Sequence, residues 1–192
     1  MNPQLQSLGR LIVRQKLTMM QNRYVVHVAG PDGESEGPVV GFAEQKRLAF
    51  REQVTIYSDE SKQWMMAGFK ARRVIDVNSE YDVVDHAGQT IGMFRKDFGA
   101  SLLRSTWHLE QPGIPPIVGE ERSAAVAVLR RFLESLSWLP YHFDFTINGQ
   151  PAFSVDKRWG LRDRYIVDIP DRNLDRRLVI ALAVALDALQ SR

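Results

Sequence analysis

The sequence predicts a β-rich (β+α) domain: a closed β-barrel enclosing a hydrophobic C-terminal α-helix, with one additional amphipathic helix. Three observations carry this. Short runs rich in Val, Ile, Tyr, Phe, Trp and Thr follow one another from Leu11 to Leu109, broken by Gly, Asp, Asn and Pro, as strands and turns are. Leu178–Leu186, reading LVIALAVAL, has no polar residue on any face, which surface helices of globular domains do not show. Gly119–Leu136 sets Val126, Leu129, Phe132, Leu133 and Leu136 at spacings of three and four, opposite Glu120, Arg130, Arg131 and Glu134.

The strand-like runs are Leu11–Val13, Tyr24–Val28, Val39–Phe42, Val54–Tyr57, Trp64–Phe69, Val74–Val77, Tyr81–Val84 and Ile91–Phe94. The stretch Ala29–Pro38, with its Gly and Pro residues among acids, reads as a mobile loop between two of them. Alternation of side chains sets the register of two hairpins. In Tyr141–Ile147 the aromatic residues share one face. A three-residue Asn148-Gly149-Gln150 loop with a G1-type bulge sets Phe145 opposite Phe153 and Phe143 opposite Val155. A loop at His86-Ala87-Gly88 pairs Val83 with Ile91 and Tyr81 with Met93, with Gly88 left-handed.

The last helix is expected to start after Pro170, with Asp171 or Asn173 as N-cap, and to run over about 171–190. At a rise of about 1.5 Å per residue its wholly apolar part covers roughly 13 Å, against about 30 Å of bilayer hydrocarbon. Extending it outward meets Asp175, Arg176 and Arg177 at one end and Asp187 at the other. Each charge costs on the order of 3 kcal/mol at mid-bilayer. The inside of a β-barrel lined by Phe, Ile and Val is the better home. Asp187 then stands either at the barrel mouth, paired or capped, or as a buried carboxyl of raised pKa.

With 192 residues and 44% hydrophobic content, the chain suits one core and one domain over residues 1–192. The formal charge of +2 is near balance, so no nucleic-acid partner is expected, and attraction to a membrane must come from a local patch. The absence of cysteine rules out disulfides, thiolate metal sites, cysteine nucleophiles and S-palmitoyl anchors. Met1–Arg14 has no continuous apolar core of the kind a secretory signal needs, so the expectation is a cytoplasmic protein, peripheral to the membrane if it meets one.

Several stretches resemble the LURP-one-related proteins, which share a fold with the tubby C-terminal domain and the phospholipid scramblases. Leu11–Asn22, LIVRQKLTMMQN, followed by Tyr24 and Val25, is similar to the start of bacterial members, above all at Arg14-Gln15-Lys16. Asp163, Tyr165, Pro170, Leu174-Asp175, Ala181, Ala183 and Leu186-Asp187 follow in the order of the scramblase ending, and the turn at Asp85–Gly92 fits as well. The resemblance implies a twelve-stranded antiparallel β-barrel wrapped around the C-terminal helix, and no enzyme chemistry. It implies contact with lipid for some members: tubby domains bind phosphoinositides and scramblases move phospholipid between leaflets. The chain differs from scramblases in lacking a Pro-rich N-terminal arm and a cysteine cluster, which argues against a membrane anchor.

Candidate lipid- or phosphate-binding residues are Lys70, Arg72 and Arg73 after Phe69, and Arg95 and Lys96 after Phe94. Two neighbouring strands presenting clustered cations beside aromatics at one rim suit phosphate head groups at a membrane surface. The alternative is a solvated sheet edge guarded from strand pairing by Lys and Arg. Arg104, Lys157, Arg158, Arg162 and Arg164 belong to the same surface or to none. Asp171-Arg172-Asn173-Leu174-Asp175 offers oxygens at alternate positions, as a calcium loop does, but continues with Arg176 and Leu182 where Gly and Glu belong; a helix cap is the preferred reading.

His27, His86, His108 and His142 are isolated, and the Trp near His108 and His142 suggests aromatic packing. No nucleophile elbow, P-loop or dinucleotide pattern occurs. No catalytic residue, metal site or cofactor is therefore expected. The expected function is a non-enzymatic module touching anionic phospholipid head groups through its basic rim. The alternatives are a protein-interaction or structural domain whose partner surface is the helix at 119–136, and a membrane-inserted scramblase.

Overall fold

Alternating side chains place one half of each strand against the centre of the molecule. In the computed structural model, Leu11, Val13, Tyr24, Val26, Val54, Ile56, Phe94, Phe143, Phe145 and Val155 all join one buried cluster. The residues described are 3–17, 22–45, 53–72, 80–97, 106–123, 141–158 and 163–190. A short helix α1 (Pro3–Gln6) precedes β1 (Arg10–Leu17), β2 (Asn22–Ala29), β3 (Glu36–Gln45), β4 (Gln53–Tyr57), β5 (Met65–Ala71) and β6 (Glu80–Asp85). There follow β7 (Thr90–Asp97), β8 (Thr106–Glu110), β9 (Ile117–Glu121), β10 (His142–Ile147), β11 (Gln150–Arg158), β12 (Arg164–Asp168) and the C-terminal helix α2 (Arg176–Gln190).

Each strand pairs antiparallel with its sequence neighbours, and β1 pairs with both β2 and β12. The ring closes as an up-and-down barrel of twelve strands, each paired on both sides over at least part of its length. Leu178 to Leu186 inside it are all at 0% exposure. A helix apolar on every side is thus surrounded by apolar strand faces, which is the solution its composition demands.

The ends of α2 are held by polar groups. Its cap is Asp175, whose Oδ1 accepts the Arg177 amide at 2.9 Å and whose carbonyl accepts the Leu178 and Val179 amides. The expected caps at Asp171 or Asn173 are corrected: Asp171 Oδ1 accepts the Asn173 amide in a local turn and Leu174 is buried, so the helix starts later. Gln111 Oε1 accepts the Asp175 amide at 2.7 Å, and Gln6 Oε1 accepts the Arg176 amide at 3.1 Å. The buried Arg176 guanidinium donates to the carbonyls of Leu8, Asp171 and Leu174.

The hairpin registers are informative. Phe145 pairs with Phe153 and Phe143 with Val155 as alternation requires. The turn, however, is the two-residue Asn148-Gly149, with φ of 49° and 80°, and the extra residue lies in β11, where Thr146 pairs with Pro151 and Ala152 is bulged. In the β6–β7 hairpin Gly88 is left-handed at φ 77°. Its pairs are shifted by one from the expected ones: Val83 faces Gly92 and Tyr81 faces Phe94. The cause is packing. A Cβ at Gly92 would lie 2.6 Å from Leu178 Cδ2 and 2.5 Å from the Glu110 carbonyl oxygen, so only glycine fits where α2 approaches β7.

Two further expectations change. Glu36–Pro38 belong to β3, and the turn before it is organised: Asp32 Oδ1 accepts the Glu34 and Ser35 amides, while Arg14 pairs with Glu36 at 3.1 Å and Arg164 donates to the Glu34 carbonyl. The helix expected over 119–136 does not begin where its pattern starts, because Gly119–Glu121 lie in β9; 124–136 fall outside the described residues. Gly119 faces Trp107 on one side and Phe145 on the other, and any side chain there would overlap the Phe145 ring. The run Val74–Val77 also lies outside the described residues.

Candidate functional site

Lys70 projects from the outer face of β5, and Arg72, directly after its last residue, shares that side, because Phe69 and Ala71 take the inward positions. Arg95 has the outward parity on β7, whereas Lys96 shares the parity of Phe94 and holds its Nζ 5.9 Å from the Trp107 ring centroid. Arg73 lies outside the described residues. β5 and β7 are not neighbours: β6 runs between them and brings acids. Lys70 is in register with Asp82, and Arg95 with Glu80. The expected basic pair of strands is therefore a β5–β6–β7 surface of alternating sign.

Arg72 is the most committed of these cations. Its Nε and Nη2 donate to the two Asp82 oxygens at 2.8 and 2.6 Å, and its Nη1 donates to Glu80. The Asp82 hydrogen bonds hold the guanidinium pKa above its ordinary value, and the Arg72 hydrogen bonds hold the Asp82 carboxyl below its own. Lys70 is exposed and has no ion-pair partner among the described residues. Since β5 is paired on both sides, guarding of an open edge does not explain these residues.

The outer face of β4, β5 and β6 carries a groove of about 480 Å³. Its walls include Met65, Val84, Lys70, Arg72 and Asp82, and its floor lies at Gly68. In the row Thr55–Gly68–Val84 the central residue has no side chain, and the Met65 methyl stands 3.0 Å from where its Cβ would be, so Met65 walls the hollow at Gly68. Two of the expected binding residues, Lys70 and Arg72, thus meet at one concave site; Arg95 and Lys96 do not line it. Alternation of residue types does not reveal the groove. A glycine in mid-strand is the one signal in the sequence that points to it.

The other basic residues lie elsewhere. Lys157 bonds Asp163 at 2.8 Å, with its Nζ over the rings of Tyr141 and Tyr165, and Arg158 reaches Glu34. β11 and β12 lie across the ring from β5. Arg104 and Arg162 are outside the described residues. The acidic stretch before α2 is consumed internally, since the Asp175 carboxylate takes Arg177 and Gln6. Among the described residues no group of three or more His, Asp or Glu is arranged to hold a metal ion. His142 and His108 reach Asp156 and Asp97 on neighbouring strands. Trp107 points inward and His108 outward, as successive strand residues must.

Asp187 proves to be a buried carboxyl, 7% exposed. It accepts hydrogen bonds from the hydroxyls of Tyr24 and Tyr165. Burial raises its pKa above the ordinary carboxylate value, against the two hydroxyls that favour the charged form.

A closed antiparallel barrel with an apolar helix through its centre defines the structural class. The chain belongs to the LURP-one-related family, whose model matches residues 39–187. That match runs from β3 to Asp187 in α2. No curated protein matches the chain. Among solved structures, a porin-like protein from Bacteroides uniformis aligns at 8% identity over 84% of this chain and 96% of its own, with a TM-score of 0.25, too low to bear on fold or function.

Proposed function

We propose that this LURP-one-related domain is a non-enzymatic cytoplasmic module that contacts anionic phospholipid head groups through the cationic end of the β4–β6 groove. The observation that carries the reading is the pairing of an apolar hollow at Gly68 with Lys70 and Arg72 on its wall. An exposed ammonium beside a guanidinium suits a phosphate oxygen, and the adjoining apolar surface suits the start of a lipid tail. Asp82 and Glu80 compete for Arg72, so Lys70 supplies the larger part of the attraction.

The scramblase alternative has less support. It requires α2 to leave the barrel, where Leu178–Leu186 are wholly buried. Among the described residues no helix is long and apolar enough to cross a membrane.

Sedimentation with anionic and with neutral vesicles tests the proposal. Binding to the anionic vesicles alone, weakened by Lys70→Ala and further by adding Arg72→Ala and Arg73→Ala, is expected. Absence of binding, or binding untouched by these changes, would overturn it.

A further inference from the structure

The groove is polarised along β5, and that polarity selects a ligand. Its apolar part is formed by Val84 and by Met65, whose methyl reaches to Gly68; its charged part by Lys70, Arg72 and Asp82. The step from Met65 to Lys70 covers roughly 16 Å at about 3.3 Å per residue. A volume of about 480 Å³ lies within the range of roughly 300–1,000 Å³ that holds one small ligand.

Charge narrows the class. Arg72 is held by two carboxylates, and Lys70 is the lining cation without an ion pair among the described residues. A head group with several negative charges would meet Asp82 at close range. A compact monoanion can meet Lys70 while its apolar part lies over Gly68.

We infer that the groove binds a single amphiphile molecule, one alkyl chain carrying a compact monoanionic head, taken from solution or lifted out of a bilayer. This rests on the same site as the proposed function and deepens it from contact with a surface to occupancy by one molecule. Lys70 meets the head, and the hollow at Gly68 takes the chain. Fatty carboxylates and monoanionic lysophospholipids share this chemistry.

The test is calorimetric titration of the full chain with decanoate, with a decanoyl lysophospholipid bearing a phosphoglycerol head, and with uncharged decanol, all below their aggregation concentrations. One-to-one binding of at least one anionic probe is expected, which identifies the source. Decanol should bind at least about tenfold more weakly, as loss of one charge-assisted contact implies. Lys70→Ala should weaken the anionic probe by about tenfold and leave decanol unchanged.

Filling the hollow supplies the second variant. Gly68→Val is the direct choice, but a Cβ there lies 3.0 Å from the Met65 methyl and 3.1 Å from the Val54 carbonyl oxygen, so it displaces a groove wall and strains the sheet. Val84→Phe fills the same space from an outward-facing position, and its melting curve should match the parent. It should weaken every probe. Failure of both anionic probes to bind one-to-one, or indifference to Lys70→Ala and Val84→Phe, overturns the inference.

Vesicle sedimentation separates the two readings. Vesicle binding without binding of either anionic probe keeps the proposed function and overturns this inference. Binding of an anionic probe without vesicle binding does the reverse.

Discussion

Tyr24 donates its hydroxyl to Asp187 Oδ2 at 2.8 Å, joining the second strand of the barrel to the last turns of the helix inside it. Tyr165 makes the matching bond from β12 to the other carboxylate oxygen. Both tyrosines have their pKa raised, first by burial and further by the neighbouring carboxyl, so both remain donors across the working range of pH. Tyr24→Phe should therefore cost about 1–2 kcal/mol, as loss of a buried hydrogen bond to a charged or polar partner does. Denaturant unfolding of the variant checks this.

Asp187→Asn should flatten the pH dependence of stability. The folded-state pKa of Asp187 lies above its ordinary value of 3.8, so the folded state holds the proton more tightly than the unfolded chain does. This contribution is fully present below the ordinary value, falls as pH rises towards the raised value, and is absent above it. The asparagine variant stays neutral throughout. It should melt about 2–4 °C higher than the parent at neutral pH for a gain on the order of 1 kcal/mol, with little difference below pH 4. Thermal melts from pH 4 to 8 read both.

Acid should destabilise the domain by the opposite route. The Asp82 and Asp144 carboxyls are held below their ordinary value by hydrogen bonds from Arg72 and Arg122. Asp175 is also lowered, its Arg177 bonds outweighing burial. Their stabilisation is present above the ordinary value and lost as pH falls through the lowered folded values, below about pH 4. Asp175→Asn should reduce the acid-sensitive part of the unfolding free energy while keeping the cap of α2, since asparagine caps a helix about as well as aspartate. Urea titrations at pH 3 and pH 6 on both proteins check it.

Much of the barrel can be read from the sequence because alternation and turn chemistry are local. The pairs Phe143–Val155 and Phe145–Phe153 follow from which residues must be buried, and Gly88 from the need for a positive φ. What escaped depends on contacts distant in the chain. Gly92 faces inward because Leu178 approaches it, which shifts the β6–β7 register; Gly119 sits in β9 because Phe145 needs its space. The buried Arg176 reads locally as a surface charge until the carbonyls of Leu8 and Leu174 close around it. At the site, Lys70 and Arg72 are legible as cations after an aromatic, but Asp82 and Glu80 come from the strand between, and pairing alone brings them in.

Gly92→Ala tests this close approach of helix and strand. The added methyl must displace Leu178 and strain against the Glu110 carbonyl, with an expected loss of about 1–3 kcal/mol, as overpacking of a tight core gives. The same change at Gly88 puts a methyl in open space but at φ 77°, so its cost comes from the backbone alone, about 1–2 kcal/mol. Paired unfolding curves of the two variants separate the two causes.

α2 is the core of the domain, and Leu182 at 0% exposure is the residue that probes this most directly. Leu182→Ala should cost about 2–5 kcal/mol. Leu182→Asp puts a carboxylate among apolar groups that cannot solvate it, a penalty beyond the typical whole stability of about 5–15 kcal/mol once lost packing is added. Circular dichroism and size-exclusion of purified Leu182→Asp should show loss of the strand signal and of the compact peak; a folded variant with the parent's melting temperature would mean that α2 is not the core.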